Sequence, residues 1–200
     1  MALFNYDELK NKSFYLNESD NLGIKVVAGM ENKLESISLE NMDSAGLENC
    51  DIYGNFDIFL SHSYQDKEII PALKIELENM GYSVYVDWIS DGCISRNKMI
   101  DKETASMLQK RMKQSKCLLY ATSSNSKNSR WMPWELGYFD GIKNKKVAIL
   151  PISKNDNNFD DNFKGEEYLG LYQYIDNTSD TLYVQENSST YEKFKDWINN

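Results

Sequence analysis

Between Phe56 and Ile152 the chain alternates short apolar runs with longer stretches of helical period, and that alternation admits few folds. Phe56-Asp57-Ile58-Phe59-Leu60 ends in the polar turn Ser61-His62-Ser63-Tyr64-Gln65-Asp66 and reads as a strand. Residues 67–80 then carry Ile69, Ile70, Leu73, Leu77 and Met80 at helical spacing, with Pro71 in the opening turn and Gly81 as the stop. Val84-Tyr85-Val86-Asp87-Trp88 reads as a second strand, residues 90–98 as an exposed polar loop around Gly92, and residues 99–112 as a helix. Lys116-Cys117-Leu118-Leu119-Tyr120-Ala121 is a third strand entering the hydroxyl-rich turn 122–126, a helix opens near Pro133, and residues 146–152 form a fourth strand. Strand and helix alternating at this pace predict an α/β fold, with parallel strands, right-handed crossovers and helices on both faces. Thr181-Leu182-Tyr183-Val184 predicts a short fifth strand, and residues 190–199 a closing helix with Phe194 and Trp197 inward.

Residues 1–54 differ in texture. They are polar and Asn-rich, with one short strand pattern at 23–28 and weak helical patterning over 32–42, and are read as an N-terminal appendage to a domain of residues 55–200. The whole chain is 41% hydrophobic and 12% aromatic, enough to close a sizeable core. Its formal charge of −9 argues against nucleic acid and an anionic membrane as partners. Three cysteines without CxxC spacing predict reduced thiols rather than disulfides or zinc, and no metal is expected. No secretory leader and no membrane-length apolar stretch is legible, so a cytoplasmic location is expected.

Ligands of open parallel sheets bind outside the carboxyl ends of the strands. That rule points to residues 61–66, 87–96, 122–126 and 131–135. Within the last of these, Trp131 and Glu135 lie four residues apart at a helix start, so one ring and one carboxylate project from the same side. A flat aromatic beside an ionised acid suits a cationic heteroaromatic. From the residues alone, Glu135 is more simply a group satisfying a helix N-terminus, and Trp131 more simply core. His62 is the only histidine and has no nucleophile or ligand cluster at a recognisable spacing, so with Ser61 it is read as pocket wall. No GxGxxG or GxxxxGK[ST] stretch occurs, so a Gly-rich loop for a resident dinucleotide or a P-loop has no support.

Four motifs in order give the chain a resemblance to bacterial Toll/interleukin-1 receptor (TIR) domains. They are Phe56-Asp57-Ile58-Phe59-Leu60-Ser61-His62-Ser63, Gly81-Tyr82-Ser83-Val84-Tyr85-Val86-Asp87-Trp88, Ser129-Arg130-Trp131-Met132-Pro133-Trp134-Glu135-Leu136-Gly137, and Phe163-Lys164-Gly165-Glu166-Glu167-Tyr168-Leu169-Gly170-Leu171-Tyr172. The likeness runs from residue 56 to about 198. It implies a flavodoxin-like five-stranded parallel sheet and, for many bacterial members, cleavage of NAD by hydrolysis or cyclisation, NAD being a substrate and not a cofactor. It places Glu135 as the catalytic carboxylate and Trp131 at the nicotinamide, and so reverses the preference for the structural readings.

In that setting Asp87 is either a ribose or amide contact or a turn-forming side chain. Trp88 is a cover for the base, and Arg96 is either a pyrophosphate contact or a solvated loop residue. Residues 90–98, opening on Ser90 and closing on Lys98, resemble the BB loop through which the family self-associates. Some members act in Thoeris-type antiphage defence, which implies a downstream effector that senses a cyclic nucleotide product. Others are non-enzymatic adaptors, so family likeness alone leaves enzyme and scaffold both open, with a nucleoside-processing relative of the same architecture as a third reading.

Overall fold

A computed structural model describes residues 4–19, 54–91, 102–143, 146–153, 167–178, 181–187 and 189–200. Its strands are β1 (Phe4–Asn5), β2 (Phe56–Ser61), β3 (Val84–Tyr85), β4 (Ser115–Thr122), β5 (Val147–Ser153), β6 (Gln173–Thr178), β7 (Thr181–Gln185) and β8 (Tyr191–Lys193). The helices are α1 (Tyr6–Ser19), α2 (Ile70–Asn79), α3 (Asp87–Ser90), α4 (Lys102–Gln114), α5 (Trp131–Lys143) and α6 (Phe194–Trp197). The sheet runs β3-β2-β4-β5-β6-β7-β8, parallel from β3 to β6 and antiparallel beyond, with β1 parallel to the end of β5.

The central strands are apolar on both faces, as strands covered by helices on each side must be. Along β4, Cys117, Leu119 and Ala121 join Ile58, Leu60, Ala148 and Leu150 on one face, where α1, α2 and α6 supply Leu9, Leu73, Leu77, Phe194 and Trp197. Leu118 and Tyr120 point the other way, with Phe59, Val147 and Ile149, beneath Leu108 and Met112 of α4 and Met132, Leu136 and Phe139 of α5. This two-sided core is the expected α/β architecture.

Helix α2 shows how the local sequence sets a boundary. Pro71 is its second residue, and Gly81 follows its end at φ 93°. The Gly81 N–H donates to the Glu78 carbonyl and the Tyr82 N–H to that of Leu77, which closes the helix with a left-handed residue. A Cβ at Gly81 would meet nothing within 4 Å, so the constraint is the backbone angle and not space.

Several expectations are corrected. The run 84–88 is strand only to Tyr85, because Asp87 opens the short helix α3 behind an extended Val86. The predicted fifth strand, β7, pairs antiparallel with β6, a strand the sequence reading missed. The closing helix is short, with β8 taking residues 191–193, while Phe194 and Trp197 are buried as expected. Residues 4–19 are no detached appendage: β1 joins the sheet, α1 packs on α2, and Phe4, Tyr6 and Leu9 are buried in the main core. The patterns noted at 23–28 and 32–42 lie outside the described residues.

Asp57 fastens the start of the sheet, accepting from the backbone and hydroxyl of Ser83 and pairing with Lys116 at 2.8 Å. Burial pushes its carboxyl up, but the hydrogen bonds from Lys116 and Ser83 outweigh that and hold it below the ordinary value of 3.8. A depressed carboxylate contributes stability above its unfolded pKa and loses it as pH falls through the folded value. Asp57→Asn should therefore lower Tm at pH 7, by the equivalent of about 1 kcal/mol. Thermal scans of both proteins should converge as the pH falls below 3.8.

Candidate active site

Because β2, β3, β4 and β5 run parallel, the segments that follow them gather at one edge of the sheet. Side chains tie those segments together. Asp66 is buried and accepts from the Ser123 hydroxyl at 2.5 Å and the Asn125 amide at 2.7 Å, joining the turn after β2 to the turn after β4. His62 and Trp88 join the turn after β2 to α3, with the indole Nε1–H donating to His62 Nε2 at 3.0 Å. An indole only donates, so Nε2 is the acceptor and the imidazole proton sits on Nδ1, which donates to the Leu60 carbonyl at 3.0 Å. Asp87 Oδ1 lies 3.7 Å from the same Nε2.

On the other face of the sheet, α5 brings Glu135 over the end of β2. Ser61 follows Phe59 by two residues and shares its side of the strand, where Met132, Leu136 and Phe139 of α5 pack. Glu135 lies between Met132 and Leu136 on the buried side of that helix, and its carboxylate accepts the Ser61 hydroxyl at 2.6 Å with both residues 0% exposed. The helix begins at Trp131, which makes Glu135 its fifth residue and not part of the first turn. Its placement therefore owes little to the helix dipole, whose influence fades within that turn. Pro133 is in the first turn, as expected, and the Ser129 hydroxyl accepts the Met132 N–H at 3.3 Å.

The structure thus brings Ser61, His62, Asp87, Trp88 and Glu135 to the predicted edge, but in closer mutual contact than a lining of pocket walls. Trp131 is half-buried at the start of α5, with its ring edge-on to Trp134 at 5.3 Å, and Trp134 stacks on Tyr138. Arg96 and most of the loop 90–98 lie outside the described residues. Where that loop begins, Asp91 is held by Arg111 through two hydrogen bonds of 2.7 and 2.8 Å and by the Tyr85 hydroxyl at 2.9 Å. Neither Asp66 nor the Asp91–Arg111 pair was singled out from the sequence. Among the described residues no group of three or more His, Cys, Asp or Glu side chains is placed to hold a metal, and no helix is long and apolar enough to cross a membrane.

Residues 58–193 match the family described as "TIR domain". The chain belongs to the TIR domain family. This TIR protein is 41% identical over 204 residues to "Probable 3' cyclic ADP-D-ribose synthase ThsB'" of Bacillus cereus (strain MSX-D12), an alignment covering 99% of this chain and 98% of that one. It is also 32% identical over 100 residues to "Putative cyclic ADP-D-ribose synthase TIR2" of Cytobacillus dafuensis, covering 50% of this chain and 26% of that protein. The first alignment extends well beyond the 58–193 core of the family match. It takes in the N-terminal segment whose β1 and α1 pack into the fold.

Proposed function

We propose that this TIR domain protein breaks the bond between nicotinamide and ribose in NAD and closes the remaining ADP-ribose on itself, giving a cyclic ADP-ribose isomer as a signal in antiphage defence of the Thoeris type. The observation that carries the reading is Glu135, buried against Ser61 at the ligand edge of a chain that aligns end to end with a protein named as a cyclic ADP-ribose synthase.

The chemistry suits a single carboxylate. Nicotinamide in NAD is already cationic, so when the C–N bond breaks its electron pair neutralises the departing ring and no general acid is needed. Ordinary glycosidases need a second carboxyl group to protonate their leaving oxygen. What develops instead is positive charge on the ribose, an oxocarbenium, and a fixed anion beside it stabilises that charge. Capture by a nucleophile of the same molecule, with loss of its proton, gives the cyclic product; capture by water gives ADP-ribose. In this reading Trp131 stacks on the pyridinium, a cation–π contact of about 0.5–2 kcal/mol. Asp87 and Trp88 contact the rest of the nucleotide, and Arg96 its pyrophosphate. Self-association through residues 90–98 supports activity, and an effector reads the product.

The test is to incubate NAD with the purified chain and identify products by chromatography. Nicotinamide with a cyclic isomer, the 3′ isomer in the first instance given the Bacillus cereus relative, bears the proposal out. Nicotinamide with ADP-ribose alone reduces the protein to a hydrolase. Intact NAD across protein concentrations overturns the enzyme reading in favour of an adaptor, and specific activity independent of concentration counts against self-association.

A further inference from the structure

We propose that Ser61 is the positioning residue for Glu135, its hydroxyl fixing the carboxylate in the orientation the reaction uses. The inference rests on Glu135 being the carboxylate of the preceding section, and it changes what Ser61 does there. As a pocket wall, Ser61 would touch the substrate. In the structure its hydroxyl proton is directed to Glu135 Oε2 at 2.6 Å, at a site where neither residue is exposed. A serine hydroxyl has one proton to donate. Having given it to the carboxylate, Ser61 acts on the reaction through Glu135.

Two physical arguments support the assignment. The terminal torsion of a glutamate is broad, with no sharp rotamer of its own, so a buried carboxylate needs an outside contact to set its plane. Ser61 is well suited to supply one, because it is the last residue of β2, a strand hydrogen-bonded on both sides to β3 and β4. A hydroxyl anchored there moves less than one on a loop. The hydrogen bond also goes to the charged form of the acid and so favours that form. Both effects act on the ionised, oriented carboxylate that steadies an oxocarbenium, and neither contributes directly to holding NAD.

The experiment compares wild type, Ser61→Ala and Ser61→Thr by steady-state kinetics on NAD across pH. It also follows the Glu135 carboxyl carbon by NMR in the intact chain without NAD. Ser61→Ala should lower kcat about 10- to 100-fold, as slight misplacement of a catalytic group does. KM should stay within about threefold, since the lost contact was not a binding contact. The acid limb of the kcat profile and the titration midpoint of the carboxyl signal should both move to higher pH than in wild type. Ser61→Thr keeps a hydroxyl and should restore both. A Ser61→Ala enzyme with kcat within about twofold of wild type would overturn the assignment, as would a large KM increase at unchanged kcat. Should wild type leave NAD intact, the functional reading fails, and the carboxyl signal separately decides the coupling: a midpoint unmoved by Ser61→Ala refutes it.

Discussion

Replacing Glu135 by Gln is expected to lower kcat for NAD cleavage by about 10³-fold, some 4 kcal/mol of transition-state stabilisation, while the protein stays folded. Glutamine keeps the shape of the side chain and an oxygen that can still accept from Ser61, so the contact at the end of β2 survives the substitution. What disappears is the negative charge. Because Glu135 is 0% exposed, that charge acts in a medium that screens it poorly, which makes its loss costly to a cationic transition state and inexpensive to stability. Rates of nicotinamide release by the two proteins, set beside their Tm values, make the check. Glu135→Gln retaining more than about a tenth of wild-type kcat would mean that the charge is not what drives the reaction.

The parts of this molecule that were readable in advance are those where one local pattern answers one structural demand. Strands β2, β4 and β5 are covered on both faces, so their sequences are almost unbroken apolar runs that mark them directly. Strand β6 had no such mark. Gln173, Tyr174, Asp176 and Thr178 are polar, and several meet their hydrogen-bonding needs through other side chains: Tyr174 donates to Gln185, Gln185 and Thr178 donate to Asp176. The two contacts with Gln185 exist only after β7 has folded back. The first residues were misread for a related reason. Phe4, Tyr6 and Leu9 are too few to give a periodic signal, and their burial depends on β5 and α2, more than 50 positions away.

The site divides along the same line. The rule for open parallel sheets pointed to the edge where Ser61 and Glu135 meet, helix spacing paired Glu135 with Trp131, and the resemblance gave Glu135 its expected role. The contacts that give Glu135 and its neighbours their chemical character could not be read. Ser61 and Glu135 are separated by 74 positions, and Asp66 and Ser123 by 57. No spacing rule spans such gaps, because whether α5 sets its fifth residue or its fourth over the end of β2 is determined by how Met132, Leu136 and Phe139 pack on the sheet. Likewise no spacing rule joins Trp88 to His62, 26 positions away, whose Nε2 accepts its indole N–H.

The largest loss of stability is expected from Arg111→Ala. Arg111 is 0% exposed on α4, with its guanidinium paired to Asp91 by two hydrogen bonds and bonded to Gln114 at 3.0 Å. Asp91 is itself buried, and the Tyr85 hydroxyl donates to it. Burial pushes the Tyr85 phenol well above its ordinary value and Asp91 adds to the effect, so the ring stays neutral and remains a donor. Truncating Arg111 leaves the aspartate charge underground with, among the described residues, the neutral Tyr85 hydroxyl as its side-chain partner, a loss of about 3–5 kcal/mol. For a chain of this size that is a fall in Tm of roughly 6–20 °C. The pair is not thereby a net source of stability, since removing both charges together avoids stranding either one. The double substitution Arg111→Met with Asp91→Leu should accordingly recover most of the loss in Tm. Calorimetry of the three proteins separates the cases. If the double variant is as unstable as Arg111→Ala, the lost packing around Tyr85 matters more than the stranded charge; if Arg111→Ala melts within about 2 °C of wild type, the pair is not buried in solution as it is here. A recovered Tm would leave specificity as the reason for the pair: its geometry sets where Asp91 stands at the end of α3, beside Tyr85 of β3.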